Sequence, residues 1–333
     1  MAKGLDSEFA KARAAEGRGD FPAAAAIYGE LGRRFPANRR VQAAFAAMHQ
    51  RIADLSGPQV EAEFKAMGAL HDEGRLDEAL ARGEELVARH SGQPAVHNMI
   101  GAILLRLKRP REAEAAFRRA IALEPAVAAG YNNLGNALRG QKRAGDAVPA
   151  YRKAIDLAQD YAEAWSNLGT AIQDLGRPDE ALAAYETALL LQPNLLDALN
   201  NRASALHALK RYGEAESGFR EVLRRQPDYA QVYCNLGETL LAQDRVDDAI
   251  AAFRRSLELM PDYGDGWGHL AGALRVAGDP EGALQAYEKA VRIEPENASI
   301  LNGLGFLLQT QGEPQRALTI YDLALELEPE NIH

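Results

Sequence analysis

The sequence predicts an all-α solenoid made of helix–turn–helix repeats, and three observations support this prediction. A 34-residue period runs through most of the chain, and each period contains two stretches with the apolar spacing of a helix. Alanine dominates the composition, whereas aromatic residues make up only 7% of it. Small residues suit close helix contacts, while a β-rich domain would need more Val, Ile, Thr and aromatic residues.

The period is visible in a tripeptide. Asn133-Leu134-Gly135 recurs as Asn167-Leu168-Gly169 and again as Asn235-Leu236-Gly237. Eight contiguous repeats can be written without an insertion, namely 60–93, 94–127, 128–161, 162–195, 196–229, 230–263, 264–297 and 298–331. Because a single repeat cannot bury its own apolar face, this strict spacing predicts that neighbouring repeats stack on one continuous core.

Each repeat predicts two amphipathic helices. In repeat 162–195 the first helix carries Trp165, Leu168 and Ile172 on one face, and the second carries Tyr185 before Pro193 ends it. Glycine returns at one place of the first helix, at Gly101, Gly135, Gly169, Gly237 and Gly305. A glycine inside a helix costs about 1 kcal/mol relative to alanine, so this pattern predicts that a bulky side chain packs against each one.

These residues resemble the tetratricopeptide repeat, whose signature has an aromatic residue, Leu-Gly, alanines, a second aromatic residue and a proline at these spacings. The resemblance covers residues 60–331. It implies a right-handed superhelix whose first helices line a concave groove, and a general role in docking proteins or peptides. The preceding segment, 1–59, is expected to hold one degenerate repeat and an unpaired helix, with a bend at residues 56–59.

Composition limits the classes of function. The formal net charge of −9 opposes a sequence-independent grip on nucleic acid, and the lone cysteine, Cys234, cannot form an intrachain disulfide. The amino terminus lacks the apolar core of a signal peptide, and no stretch approaches the length of a membrane span. We therefore expect a cytoplasmic protein without a membrane span.

Catalytic and metal-binding patterns are not evident. Four histidines, His71, His97, His207 and His269, fall in four different first helices, without the spacing of a zinc site. The glycines at 264, 266 and 268 follow no predicted strand, so they indicate a helix start and not a phosphate loop. The sequence thus predicts no catalytic residue, no metal site, no cofactor and no enzymatic activity within residues 1–333.

One polar row does suggest a binding site. The sixth place of four consecutive repeats is Asn133, Asn167, Asn201 and Asn235, with His269 continuing the row and Asn132, Asn200 and Asn302 one place earlier in their repeats. A carboxamide can both donate to and accept from a peptide unit, so the row predicts contacts with the backbone of an extended chain. The row resembles that of the O-GlcNAc transferases, whose repeats receive protein substrates. Alternatively, these side chains bridge neighbouring helices or meet water.

Two functions fit these patterns. The first is an interaction scaffold, or adaptor, that binds a peptide or protein segment in the groove. The second is the substrate-docking region of a larger bacterial glycosyltransferase or sulfotransferase whose catalytic domain lies beyond His333. The last repeat is followed by no polar capping helix. We therefore expect either a longer natural protein or a carboxyl-terminal surface that a partner or second copy covers.

Overall fold

The computed structural model describes residues 2–17, 21–35, 38–53, 58–89 and 92–327, and every regular element in these residues is an α-helix. The chain divides into two compact units, Met1–Gln192 and Pro193–His333. The first contains helices α1 (Ala2–Gly17), α2 (Phe21–Arg34), α3 (Arg39–Ala53), α4 (Pro58–Asp72), α5 (Leu76–Arg89), α6 (Pro94–Arg106), α7 (Pro110–Leu123), α8 (Ala128–Gly140), α9 (Ala144–Leu157), α10 (Ala162–Asp174) and α11 (Pro178–Leu191).

The second unit contains eight helices. They are α12 (Leu196–Ala208), α13 (Tyr212–Arg225), α14 (Ala230–Leu241), α15 (Val246–Leu259), α16 (Gly264–Val276), α17 (Pro280–Ile293), α18 (Ala298–Thr310) and α19 (Pro314–Leu327). Each of the eight predicted repeats forms one helix pair, from α4 and α5 to α18 and α19. The predicted all-α solenoid is confirmed within each unit.

The helices pack in a regular order. The two helices of a repeat pack against each other, and the second helix then packs against the first helix of the next repeat, as α7 does against α8. First helices also contact first helices of adjacent repeats, as in α6 with α8 and α14 with α16. Each unit therefore presents a surface built from its first helices, which we call the first-helix face.

Small and large residues interlock as predicted. A Cβ atom at Gly135 would lie only 2.5 Å from Cε1 of Tyr151, which is fully buried in the partner helix. The same contact recurs at Gly101, Gly169, Gly237 and Gly305, each against the ring of its own repeat. In repeat 60–93 the sizes are exchanged, because the buried Met67 stands in the glycine place and Gly83 in the ring place.

The turns inside the repeats share one backbone feature. One residue in each turn has a positive φ, between 58° and 81°, at Gly74, Lys108, Lys142, Gly176, Lys210, Asp244, Gly278 and Gly312. An arginine often follows and pairs with an acidic residue three places later, as Arg177 does with Glu180 and Arg245 with Asp248. These acidic residues lie in the first turns of the second helices, where they complement the helix amino termini as well as pairing with arginine.

The amino-terminal helices form a pack of their own. Phe9 and Tyr28 meet edge to face at 5.3 Å between ring centroids, and the Tyr28 hydroxyl donates to Glu16 at 2.5 Å. Helix α1 also contacts α8, and an Arg13 guanidinium nitrogen lies 2.8 Å from a carboxylate oxygen of Asp160. Residues 54–57 lie outside the described residues, so the bend at 56–59 and the division at residue 59 remain predictions.

Candidate functional site

The predicted site residues lie on the first-helix faces of the two units. Asn132 and Asn133 on α8 are buried, at 5% and 7% exposure. The other members are half-buried, namely Asn167 on α10, Asn200 and Asn201 on α12, Asn235 on α14, His269 on α16 and Asn302 on α18. The row has members in both units.

In the first unit the carboxamides are linked to one another. Asn167 Nδ2 donates to Asn132 Oδ1 at 2.9 Å, and Asn132 Nδ2 lies 3.4 Å from Asn133 Oδ1. Asn133 Nδ2 in turn donates to Asn98 Oδ1 at 3.0 Å. These bonds join α10, α8 and α6, so the asparagines bridge successive first helices.

The second unit repeats the same register. Asn235 Nδ2 lies 3.5 Å from Asn200 Oδ1, and Asn200 Nδ2 lies 3.3 Å from Asn201 Oδ1. In both units the sixth residue of one repeat donates to the fifth residue of the repeat before it. The bridging arrangement, which was the alternative to peptide contact at the level of sequence, is therefore present in the free chain.

Burial explains why the amides need these partners. A carboxamide that leaves water without a hydrogen bond costs about 1–3 kcal/mol, so buried amides are almost always bonded. Asn98 belongs to this network although the sequence argument omitted it. It stands one repeat before Asn132, at the same fifth place, and this spacing is the signal that could have identified it.

The row changes character beyond α14. His269 does not join an asparagine; its Nε2 atom lies 3.2 Å from a Glu238 carboxylate oxygen, and its ring stacks on Phe253 at 5.8 Å. In the last repeat the sixth place is Gly303, and only Asn302 beside it is polar. The sixth place is therefore asparagine in four repeats, histidine in the next repeat and glycine in the last.

Charge on the faces is mostly balanced or acidic. Burial raises the pKa of the Glu163 carboxyl group, which lies at the start of α10. Arg139 pairs with Asp174 at 3.1 Å. Asp197 and Asp265 occupy the second places of their repeats and are exposed. The described residues of the faces therefore offer carboxylates and amides.

Residues considered for other chemistry have structural surroundings. The Cys234 thiol is buried, and burial raises its pKa to about 12, so the reactive thiolate is disfavoured. Beside Gly264, at the start of α16, stands the side chain of Glu294, which would repel a phosphate there. Among the described residues no cluster of metal-binding side chains occurs, and none of their helices could span a bilayer.

Comparison with protein families supports the repeat assignment. Sequence profiles described as a tetratricopeptide repeat match residues 69–128, 98–162, 160–225, 194–262 and 298–331. A further profile, described as a TPR repeat, matches residues 271–312. Comparison with curated proteins gives no match. The matches establish the repeat family, and the likeness of the asparagine row to O-GlcNAc transferases remains a prediction.

Solved structures share the fold. A chain of the APC/C hetero-tetramer Cut9-Hcn1 matches with a TM-score of 0.65 and 15% identity, covering 87% of this chain and 57% of that one. The present chain thus spans little more than half of that relative. A tetratricopeptide repeat protein from Parabacteroides merdae matches with a TM-score of 0.59 and 21% identity, covering 75% and 94% of the two chains.

A third structure, pilF of Pseudomonas aeruginosa, has a TM-score of 0.53 and 24% identity, covering 62% of this chain and 94% of that one. At these identities the likenesses establish the fold alone. The 34-residue period, the paired helices, the interlocking of glycine with aromatic rings and the profile matches agree with one another. On these grounds the chain belongs to the tetratricopeptide repeat family.

Proposed function

We propose that this protein is an interaction scaffold that holds an extended peptide segment of a partner on its first-helix faces. Members of this family typically act as protein-interaction scaffolds, and the all-helical repeat architecture is typically non-catalytic. The faces are long and polar, which suits the backbone of a peptide better than the core of a globular partner.

The observation that carries the proposal is the pair of half-buried asparagines, Asn167 and Asn235. Each donates one amide hydrogen to the preceding repeat, through Asn132 and Asn200 respectively. A carboxamide has two N–H donors and an oxygen with two lone pairs, so these bonds leave each side chain able to bind a peptide unit. The bridge also fixes the orientation of the amide before a peptide arrives, which lowers the entropic cost of binding.

Peptide selection tests the proposal. Random peptides displayed on phage would be selected on the full chain, and their affinities measured for the unmodified chain and for the Asn167→Ala, Asn235→Ala double variant. A peptide bound on either face should lose one hydrogen bond, worth about 0.5–1.5 kcal/mol, so its affinity should fall by roughly two- to tenfold. Thermal melting of the variant checks that it remains folded at the temperature of the binding measurement.

The matched control changes the opposite side of the repeats. Arg152 and Arg254 are exposed on the second helices α9 and α15, and alanine at both should leave peptide affinity unchanged. Failure to select any peptide would contradict the proposed function. Equal binding by the asparagine variant and the unmodified chain would move the site away from this face.

The alternative expectation, a substrate-docking region of a larger enzyme, uses the same faces. It differs only in what the gene encodes after His333. A catalytic domain encoded there would make the captured peptide a substrate, whereas a stop codon would favour the adaptor.

We also propose self-association through the last repeat. Helix α19 exposes Leu318, Leu323, Leu325 and Leu327, with Leu318 at 62% exposure. Leu304 and Leu308, on α18, are buried within the repeat and do not contribute to this surface. Leu318 and Leu325, seven residues apart, lie on one side of α19 and form an apolar strip that a second copy of the chain could cover, whereas Leu323 and Leu327 lie on the other side.

A further inference from the structure

Two equivalent places on the first-helix faces, four repeats apart, differ in the hydrogen-bond partners that surround an arginine. The first place is centred on Arg139 of α8 and the second on Arg275 of α16; both arginines are the twelfth residue of a repeat. Each lies near the tyrosine of its own second helix, Tyr151 or Tyr287. Both places therefore contain a guanidinium group and a phenol hydroxyl, and both groups can donate hydrogen bonds.

At the first place the chain supplies both acceptors. The Tyr151 hydroxyl donates to Asn136 Oδ1 at 2.7 Å, and the Arg139 Nε atom lies 3.1 Å from a carboxylate oxygen of Asp174. The hydroxyl and the guanidinium are thus satisfied within the folded chain. This place needs no ligand.

At the second place both acceptors are replaced. Four repeats after Asn136 stands Gly272, and four repeats after Asp174 stands Thr310, whose hydroxyl donates to the backbone oxygen of Leu307. Among the described residues no carboxylate lies within ion-pair distance of Arg275, and Gly272 offers the Tyr287 hydroxyl no side chain in the place of Asn136. The second place therefore lacks the two side-chain acceptors that Asn136 and Asp174 supply at the first.

The Tyr287 hydroxyl points into the space that these changes open. Tyr287 is only 6% exposed, yet a Cβ atom at Gly303 would lie 2.6 Å from its hydroxyl oxygen and one at Gly272 would lie 3.8 Å from it. The ring reaches Gly303 because Ala271 occupies the glycine place of its own repeat. A ligand that enters this space could accept a hydrogen bond from the Tyr287 hydroxyl.

An aromatic ring completes the site. Phe306 takes the place that Thr170 holds four repeats earlier, and it is 47% exposed. The Arg275 guanidinium carbon lies 5.0 Å from the Phe306 ring centroid, so the ring holds the arginine in place by a cation–π contact and offers apolar surface beside it. Aromatic residues and arginine are the residues most enriched at binding hot spots.

We propose that Arg275, Tyr287 and Phe306 form a pocket for an acidic side chain, aspartate or glutamate, of an extended partner segment that also places an apolar side chain on Phe306. The two donors would replace the internal acceptors of the first site with a carboxylate from the partner. A carboxylate accepts two hydrogen bonds at once, which neither a neutral amide nor an alcohol does as strongly. This pocket would select which peptides the scaffold binds, so it rests on the proposed function.

The experiment uses the same selected peptides. Selection on the full chain should enrich an acidic residue next to an apolar one, and the Arg275→Gln variant should bind those peptides about tenfold less tightly. Arg139→Gln is the matched control, because Arg139 already has Asp174, and its affinity should be unchanged. Exchanging glutamate for glutamine in the peptide should cause little further loss in the Arg275→Gln variant, as expected for two partners in one contact.

A second variant restores the acceptors. Gly272→Asn with Thr310→Asp gives the second site the residues of the first, and the space at Gly272 admits a side chain. This variant should remain folded, as judged by its melting temperature, and should lose the preference for acidic peptides.

The outcomes separate the two proposals. Peptides that bind Arg275→Gln as tightly as the unmodified chain, but lose affinity when the asparagines change, would overturn the pocket and leave the scaffold function standing. If no peptide is selected, both proposals fail. Binding that requires a free peptide carboxyl terminus, and is lost when the peptide is displayed inside a protein loop, would overturn the assignment to an acidic side chain.

Discussion

The amide of Asn167 donates to the Oδ1 atom of Asn132 at 2.9 Å, so a half-buried side chain satisfies a buried one in the preceding repeat. Replacing Asn167 with alanine should improve helix propensity by up to ~0.7 kcal/mol but leave the Asn132 oxygen without this donor, at about 1–3 kcal/mol. We therefore expect a net loss of stability in urea unfolding.

A double-mutant cycle with Asn132→Ala should give a coupling of about 0.5–1.5 kcal/mol between the two positions. Asn302→Ala serves as a control, because Asn302 occupies the same fifth place but, among the described residues, forms no bridge to another asparagine. Strict additivity of Asn167→Ala and Asn132→Ala would show that the bridge contributes nothing.

The glycines beside aromatic rings should resist substitution. Gly135→Ala places a methyl group 2.5 Å from the buried Tyr151 ring, and such overpacking costs about 1–3 kcal/mol. Gly145, near the start of α9, has open space around it, so Gly145→Ala should stabilise the chain by up to about 1 kcal/mol. Urea unfolding of the two variants should therefore shift in opposite directions; shifts of equal sign would contradict the packing argument.

Glu216 should make stability depend on pH. It accepts hydrogen bonds from Gln243 at 3.2 Å and from Arg245 at 2.9 Å, across a repeat boundary. Burial alone would raise the pKa of Glu216, but these bonds and a further one from Arg220 outweigh burial and lower the pKa. The folded chain therefore binds this proton less readily than the unfolded chain, and the stabilisation is present above the unfolded pKa, about 4.3.

That stabilisation should disappear as the pH falls through the lowered pKa of the folded state. We expect Glu216→Gln to lower the melting temperature at pH 7 and to give a flatter dependence on pH below about 5. Glu288, exposed on α17, supplies the control substitution to glutamine. Parallel pH curves for Glu216→Gln and the unmodified chain would refute the role of this carboxylate.

The contact between Arg13 and Asp160 should hold helix α1 against the repeats. Asp160→Asn removes the charge that faces Arg13 at 2.8 Å, and amide hydrogen exchange in residues 2–17 should become about two- to fivefold faster, as expected for an ion pair worth up to about 1 kcal/mol. Asp156→Asn, on the exposed side of α9, should leave that exchange unchanged. Unchanged exchange in both variants would mean that packing alone holds α1.

The leucines of α19 should drive association. Sedimentation velocity over a range of concentrations should show larger species for the unmodified chain, and Leu318→Gln should reduce them because it removes the most exposed of these side chains. Thr319→Gln, on the same helix and exposed, is the control. A chain that stays monomeric at high concentration would argue against a self-association surface.

The helix pairs were predictable because their cause is local. The recurrence of glycine at one place and aromatic rings at another fixes both the period and the contact, as the pair Gly135 and Tyr151 illustrates. Where the local pattern fails, neighbouring residues compensate: Met67 fills the space opposite Gly83, and Gly303 admits the ring that Ala271 displaces. Such exchanges involve residues in different helices, and a single repeat pattern does not predict them.

The candidate site was predictable only in part. Spacing placed the asparagines on the first helices, yet it could not show whether their side chains bridge neighbouring repeats. The answer depends on side-chain direction: Asn167 reaches the carboxamide one repeat before it, while His269, at the same place, turns to Glu238. The difference between Arg139 and Arg275 likewise needed the positions of Asp174 and Phe306.

The left-handed turns have a consequence for how this chain can adapt. Four of the eight use glycine, while Lys108, Lys142, Lys210 and Asp244 hold the same conformation with a side chain, at a cost of roughly 1–2 kcal/mol for an L residue. None of these four residues belongs to the asparagine row or to the Arg275 pocket. Substitutions at these four positions could therefore raise or lower the thermal stability of single repeats in small steps, without changing the binding specificity of the protein.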